Sequence, residues 1–352
     1  MGTVAKSTAA FTIVPRSVLG RGFTPPSDRI TVANIGCGTQ GLREMKDMLQ
    51  NKEVQVVSVC DVNKFSTDYL DWSPQGLLAN MRQTLKDSSW GSSIKGIPGG
   101  RDIAQQYVSD YYSKNLKKDE FKGVSSYEDF RELLDKETDI DAIKIMTPDH
   151  HHGWMALEAM KKGIHVITHK PISNRLIEGR KVIAGATSYD VVITSGGVSV
   201  GDADFVKDTL EKLGEVNFWK VAMKPGRPLA FGMINDAYFF GLPGNPVSVM
   251  VTFYIFVQAA IEKMMGCEPK PRIQIQAISN SDLRKRPGRV EYQRGTYHIN
   301  SHGQYEVSKT GQQGSGILRS MSDANCFIYL PMESSGIAQG EYVEIWPFDS
   351  FI

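Results

Sequence analysis

The sequence predicts an α/β protein: a parallel sheet, a second α/β sheet that continues it or docks onto it, and a small β domain at the C-terminal end. Three observations predict this. RITVANIGCGTQGLREMKDMLQ reads as strand, glycine turn and helix, and DVVITSGGVSVGDADFVKDTLEKLG repeats that order further along. Beyond residue 271, segments such as RIQIQA and FIYL alternate apolar and polar residues, the period of half-buried strands.

Bulk properties narrow the class. A chain of 352 residues holds two domains or three, each large enough for its own core. With 41% hydrophobic and 22% charged residues it is an ordinary globular composition. A net charge of +1 builds no strong field for nucleic acid or an anionic membrane. Four cysteines without C-x-x-C spacing point to free thiols and a reducing, cytoplasmic setting. Residues 1–28 read as a disordered tail or a cut-down export leader.

From Arg29 each element has a reason. Ile30 to Ile35 form the first strand. Gly36, Gly38 and Gly41 supply G-x-G-x-x-G, and Thr39 and Gln40 open the helix beneath it. Gly36 permits the tight turn, Gly38 lets a pyrophosphate approach the backbone, and Gly41 lets helix and strand pack closely. The unpaired N–H groups of the helix start face the phosphates. A second strand, VQVVSVC, ends in Asp61, twenty residues after Gly41, where an acid holds a ribose 2′-hydroxyl and favours NAD. The Rossmann-type domain is bounded at 29–188; its stretch 62–125 reads as loop and surface helix and carries no evident chemistry. A further strand, IDAIKIMT, leads to Thr147, Pro148 and three adjacent histidines. Consecutive side chains diverge and no acid or cysteine stands at ligand spacing, so no metal site is expected.

The segments TPDHHH and HKP, with the glycine turn, resemble the Gfo/Idh/MocA family of NAD(P)-dependent oxidoreductases over residues 29 to 183. The resemblance implies a bound NAD contacted by Thr147, Pro148, His152 and Pro171, with a sugar-like substrate. It makes Lys170 the catalytic lysine that polarises or protonates the substrate oxygen. His169 stands where that family has glutamate, and nothing after Ile183 resembles its substrate domain. Ser173 caps the next helix, and Val191 to Thr194 serve as the next strand through a right-handed crossover.

The second half opens with Thr194, Ser195, Gly196, Gly197 and Ser199, a turn offering N–H groups and hydroxyls to phosphate. Asp202 and Asp204 follow at a helix start. KPGRP and GLPGNPVS come next, with Pro246 at a helix-compatible first position. The apolar run Val247 to Ile261 is shorter than the ~20 residues a membrane span needs, and it reads as a core or dimer-interface helix. SGGVSVGDAD, KPGRP and GLPGNPVS in this order, continued by RPGRVEYQRG, SKTGQQGSG and GEYVEIWPF, resemble the MoeA family of molybdopterin molybdenumtransferases over residues 189 to 348. The resemblance implies that Thr194 to Ser199 and Gly244, Asn245 and Pro246 cradle adenylyl-molybdopterin. Lys224 and Arg227 then supply positive charge for phosphate or molybdate. Asp204 is a catalytic acid beside the metal, magnesium assists, and a homodimer forms. Arg227 stands where that family more often has lysine, and its S-T-G-D-E turn is not found. The domains expected are a partial molybdopterin-binding domain at 189–270 and a β domain at 271–352.

The chain thus reads as a nucleotide-binding fusion with catalysis impaired in both halves, acting on small-molecule nucleotides and on neither nucleic acid nor membrane. Active molybdenum insertion, or an engineered or recombined chimera without turnover, are the alternatives.

Overall fold

Ile30–Ile35 forms β1 and Thr39–Gln50 forms α1, so the first glycine motif lies at a strand-to-helix turn as its spacing predicts. The computed structural model describes residues 28–71, 76–117, 120–196, 214–268 and 271–350. They fall into two compact units, residues 1–185 and 186–352. The expected leader, and Gly197, Ser199, Asp202 and Asp204, lie outside the described residues.

In the first unit β1 is followed by β2 (Val54–Cys60), β3 (Ser125–Tyr127), β4 (Ala142–Ile145) and β5 (His165–Thr168). All pair in parallel in the order β3-β2-β1-β4-β5, the doubly wound arrangement in which ligands sit beyond the strand C-termini where the order reverses. Each face has its own core. On one side Leu42, Met45 and Leu49 of α1 pack with α2 (Leu77–Leu85), α3 (Arg101–Asn115) and Val56. On the other, Ile35, Ile143 and Ile145 pack with α4 (Phe130–Lys136) and α5 (Asp149–Met160). The stretch 62–125 therefore contributes two core helices, a correction to its reading as surface. Helix α6 (Leu176–Ala186) follows; the Ser173 hydroxyl accepts from Arg175 N–H at 3.0 Å and donates to Glu178, a turn just ahead of the helix and not the N-cap expected of it.

The first sheet is not continued. β6 (Val191–Ser195) pairs in parallel with β10 (Ala237–Leu242) instead of joining β5. The second sheet runs β6-β10-β9-β7, with β7 at Gly214–Lys220 and β9 at Pro228–Ile234, both in antiparallel register. Helix α7 (Pro246–Met264) is long and apolar enough, by length and composition, to cross a membrane. Its apolar residues enter two cores of this unit: Val247 and Val251 pack with Tyr292 and Phe327, and Val257 packs with Leu229, Phe240 and Leu242.

The remaining strands close on themselves. β11 (Ile275–Ser279), β17 (Tyr342–Pro347), β15 (Cys326–Leu330), β13 (Val290–Ile299) and β14 (Tyr305–Lys309) follow one another around a ring, and β14 pairs with both β11 and β13. Inward-facing Ala277, Val307, Cys326, Ile328, Leu330, Val343 and Ile345 fill it, the alternation the sequence predicted. Two minor strands, β12 (Leu283–Arg284) and β16 (Gly336–Ile337), pair beside it, and β8 (Met223–Lys224) extends the ring along β13.

Candidate functional site

The two units each carry a cavity at the ends of their strands. In the first, a cavity of about 700 Å³ is lined by Gly36, Gly38, Thr39, Gln40, Gly41, Asp61, Thr147 and Pro148, all residues the sequence assigned to a nucleotide. The glycines are required by geometry. Gly36 has φ +96°, and a Cβ there would stand 2.6 Å from the Met146 carbonyl carbon. A Cβ on Gly41 would stand 2.2 Å from the Gly36 oxygen, which is the close helix–strand approach the motif exists for. Asp61 is fixed by backbone: its carboxylate accepts from Cys37 N–H at 2.6 Å and Asn63 N–H at 2.8 Å. Helix α1 has no side-chain cap and no acid in its first turn, so its leading N–H groups face the cavity unsatisfied by side chains.

Other assigned residues stand elsewhere. His152 is buried, with Nδ1 2.8 Å from the Pro171 carbonyl and Nε2 2.8 Å from the Thr147 carbonyl. Both nitrogens are committed to backbone, which makes His152 a clamp between two loops. Its neighbour His151 lines the cavity instead, taking a hydrogen bond from Trp154 at 3.2 Å. Burial, and the adjacent His150 and His152, push the His151 imidazole below its ordinary value. Lys170 and Pro171 are exposed and not among the cavity's lining residues. His169 is answered by Glu44, whose Oε1 lies 2.8 Å from its Nε2. The sequence reading also missed Asn63, Tyr69, Arg131 and Trp154, which line the cavity beside Glu128 and Asp129.

In the second unit a cavity of about 660 Å³ lies where two glycine–proline turns, 224–228 and 243–245, converge with Gly196 and the loop 313–315. Gly196, Lys224, Arg227, Gly244 and Asn245 line it; Thr194 and Ser195 end the strand leading into it, and Pro246 opens α7. Gly226, at φ +102°, could not carry a side chain: its Cβ would stand 2.6 Å from Thr252. Lys224 Nζ lies 2.8 Å from Glu291 Oε1, an ion pair with the acid buried and the lysine half-exposed toward solvent. Asn245 donates to the Ser315 hydroxyl at 3.0 Å and Val247 N–H to the Ser315 carbonyl at 3.1 Å, so the GLPGNP turn and the GQQGSG loop form one wall. Among the described residues, no group of three or more His, Cys, Asp or Glu is placed to hold a metal.

Residues 132–263 match the model of a probable molybdopterin binding domain, and residues 276–348 that of the MoeA C-terminal region, domain IV. The chain carries MoeA-like molybdopterin-biosynthesis domains. The first match begins inside α4, well ahead of the 189 that the sequence reading took as its start. The molybdopterin molybdenumtransferase of Haemophilus influenzae is 50% identical over 171 residues, 48% of this chain and 42% of that protein. Among solved structures, the MoeA protein of Pyrococcus horikoshii overlays 58% of this chain and 47% of that one at 24% identity and a TM-score of 0.41. The WlbA dehydrogenase of Chromobacterium violaceum, solved with NADH, overlays 86% of this chain and 72% of that one at 14% identity and a TM-score of 0.31. Both overlays are loose. The chain spans less than half the length of the curated relatives it matches.

The MoeA-like cavity also holds residues that sequence reading quoted without assigning: Arg289, Gln313, Gly314 and Ser315. Their signal was the glycine-rich loop composition of RPGRV and GQQGSG, but nothing in the linear order brings those loops to Lys224. Behind them Arg294 is 1% exposed, its guanidinium meeting the Ser320 hydroxyl at 3.1 Å and the Gly314 carbonyl at 3.3 Å. Burial lowers it to about 10, so it remains a cation.

Proposed function

We propose that this chain works in molybdenum-cofactor biosynthesis, its second unit binding a phosphate-bearing pterin of the adenylyl-molybdopterin class. The observation that carries the reading is the convergence of Lys224, Arg227 and Arg289 on one loop-lined cavity, within the two stretches matched by the molybdopterin models. A pterin phosphate and molybdate are both anions, and glycine turns let backbone N–H groups reach such oxygens. Glu291 holds Lys224 in place while the lysine keeps donors for the ligand. Magnesium and a homodimer belong to the same reading. Titrating the full chain with adenylyl-molybdopterin tests it. Lys224→Ala and Arg227→Ala should each weaken binding about tenfold by removing a charge-assisted contact. Wild-type affinity in both variants would sink the assignment.

A second ligand is favoured by a separate observation, the strand order β3-β2-β1-β4-β5 with its cavity at the point of reversal. The first unit on this reading binds NAD, the pyrophosphate against α1 and the adenine ribose at Asp61. NAD supplies hydride chemistry when bound; the chain's own residues position and enclose it. Asp61→Ala should abolish the rise in unfolding temperature that NAD produces, and an undiminished rise would remove Asp61 from the site.

A further inference from the structure

The cavity of the first unit has an outer wall that the dinucleotide motif does not supply. Residues Ser66 and Asp68 bridge to Gly99 and Ile97, folding the stretch after Asp61 back over the glycine turn. The Thr39 hydroxyl donates to the Leu70 carbonyl at 2.7 Å, Arg43 pairs with Asp71, and Gly100 N–H donates to the Cys37 carbonyl at 2.9 Å. These contacts fasten the fold-back to α1 and to the motif itself.

Tyr69 is the residue this fold-back delivers. A Cβ on Gly38 would stand 3.1 Å from its ring, and one on Gly99 would stand 2.3 Å away. Gly38 is thus needed twice, for a phosphate and for this ring. Asn63 Nδ2 donates to the Tyr69 hydroxyl at 3.1 Å, and Asn63 N–H holds Asp61. A phenol has one proton to give, and Asn63 occupies only its accepting side. Among the described residues none takes that proton, and the ring lines the cavity.

We infer that Tyr69 is a ligand-contacting residue, its hydroxyl donating to a phosphate oxygen of a nucleoside diphosphate moiety held between the ring and the N-terminus of α1. This rests on the dinucleotide reading above. Burial, then the nearby Asp61, Cys37 and Asp68, hold the phenol above its ordinary value of 10, so it stays a donor at neutral pH. Asp61, Asn63 and Tyr69 form a continuous line from ribose to pyrophosphate. The site is thereby matched to adenosine diphosphate derivatives over nucleosides.

Calorimetric titration of the full chain and its Tyr69→Phe variant with ADP-ribose and with adenosine tests this. The variant keeps the ring against both glycines and loses one oxygen. ADP-ribose should bind about tenfold more weakly to it, with adenosine affinity unchanged. Equal ADP-ribose affinity in the two proteins overturns the inference, as does an equal loss for both ligands, which would make Tyr69 a wall only. A wild-type chain that binds neither ADP-ribose nor NAD overturns the dinucleotide reading itself.

Discussion

Glu44 joins three polar side chains that the sequence leaves far apart. Its Oε2 lies 2.8 Å from Lys144 Nζ, while Oε1 meets His169 and Gln40. Burial alone would raise this carboxyl, but hydrogen bonds from Lys144, Gln40 and His169 outweigh it and hold it below 4.5. A depressed carboxylate contributes stability in full above its unfolded value and loses it as pH falls through the folded one. Urea midpoints of the first unit should therefore fall from about pH 5 to about pH 3, and Glu44→Gln should flatten that slope; equal slopes would show the cluster to be energetically silent. The buried Arg294 invites the converse test: Arg294→Ala strips the Ser320 hydroxyl and Gly314 carbonyl of their cation and leaves a void, at a cost of about 3 kcal/mol in chemical unfolding. The placement of Gly36, Gly38, Gly41 and Asp61 around one cavity was legible because it is positional and local. Tyr69, Arg289 and Gln313 were not, because loop residues obey no period and reach a site only through the fold.

Elements tell a similar story with a different boundary. β1, the strand ending at Ser195 and the helix opening at Pro246 follow from turn chemistry and period, which is why the sequence placed each to within a few residues. Which neighbour β6 takes was not legible: a strand after a right-handed crossover is as well formed beside β5 as beside β10, and the choice depends on distant residues such as Tyr238 and Phe240. The burial of α2 and α3 was not legible because Gly, Ser and Lys dominate the loops flanking them, masking the apolar teeth Leu77, Met81 and Tyr107. Element packing also fixes the severity of one change. In Gly41→Ala the new methyl meets the Gly36 carbonyl, backbone against backbone, so α1 must lift off β1. The variant should lose about 2 kcal/mol or more in urea unfolding, whereas Gly123→Ala, with nothing within 4 Å, should pay only its positive φ of 106°.

At the scale of the molecule, two units with separate cores predict separable responses. NAD at about 100 times its dissociation constant should raise the stability of the unit that binds it by about 2.7 kcal/mol. In a calorimetric scan that gain should appear in the transition that Gly41→Ala lowers, with the transition lowered by Arg294→Ala unmoved. A shift in the latter alone would place the nucleotide in the wrong unit. One feature of the second unit reaches further. β8, far from β13 in the chain, pairs with it at the edge of the ring, setting Met223 opposite Val290 and Lys224 opposite Glu291. A genetic crossover falling between residues 225 and 289 would part that pair and strand a buried carboxylate without its lysine. A segment exchanged into this stretch must therefore bring a cation at 224 whenever Glu291 is kept, so two positions 67 residues apart can change only together.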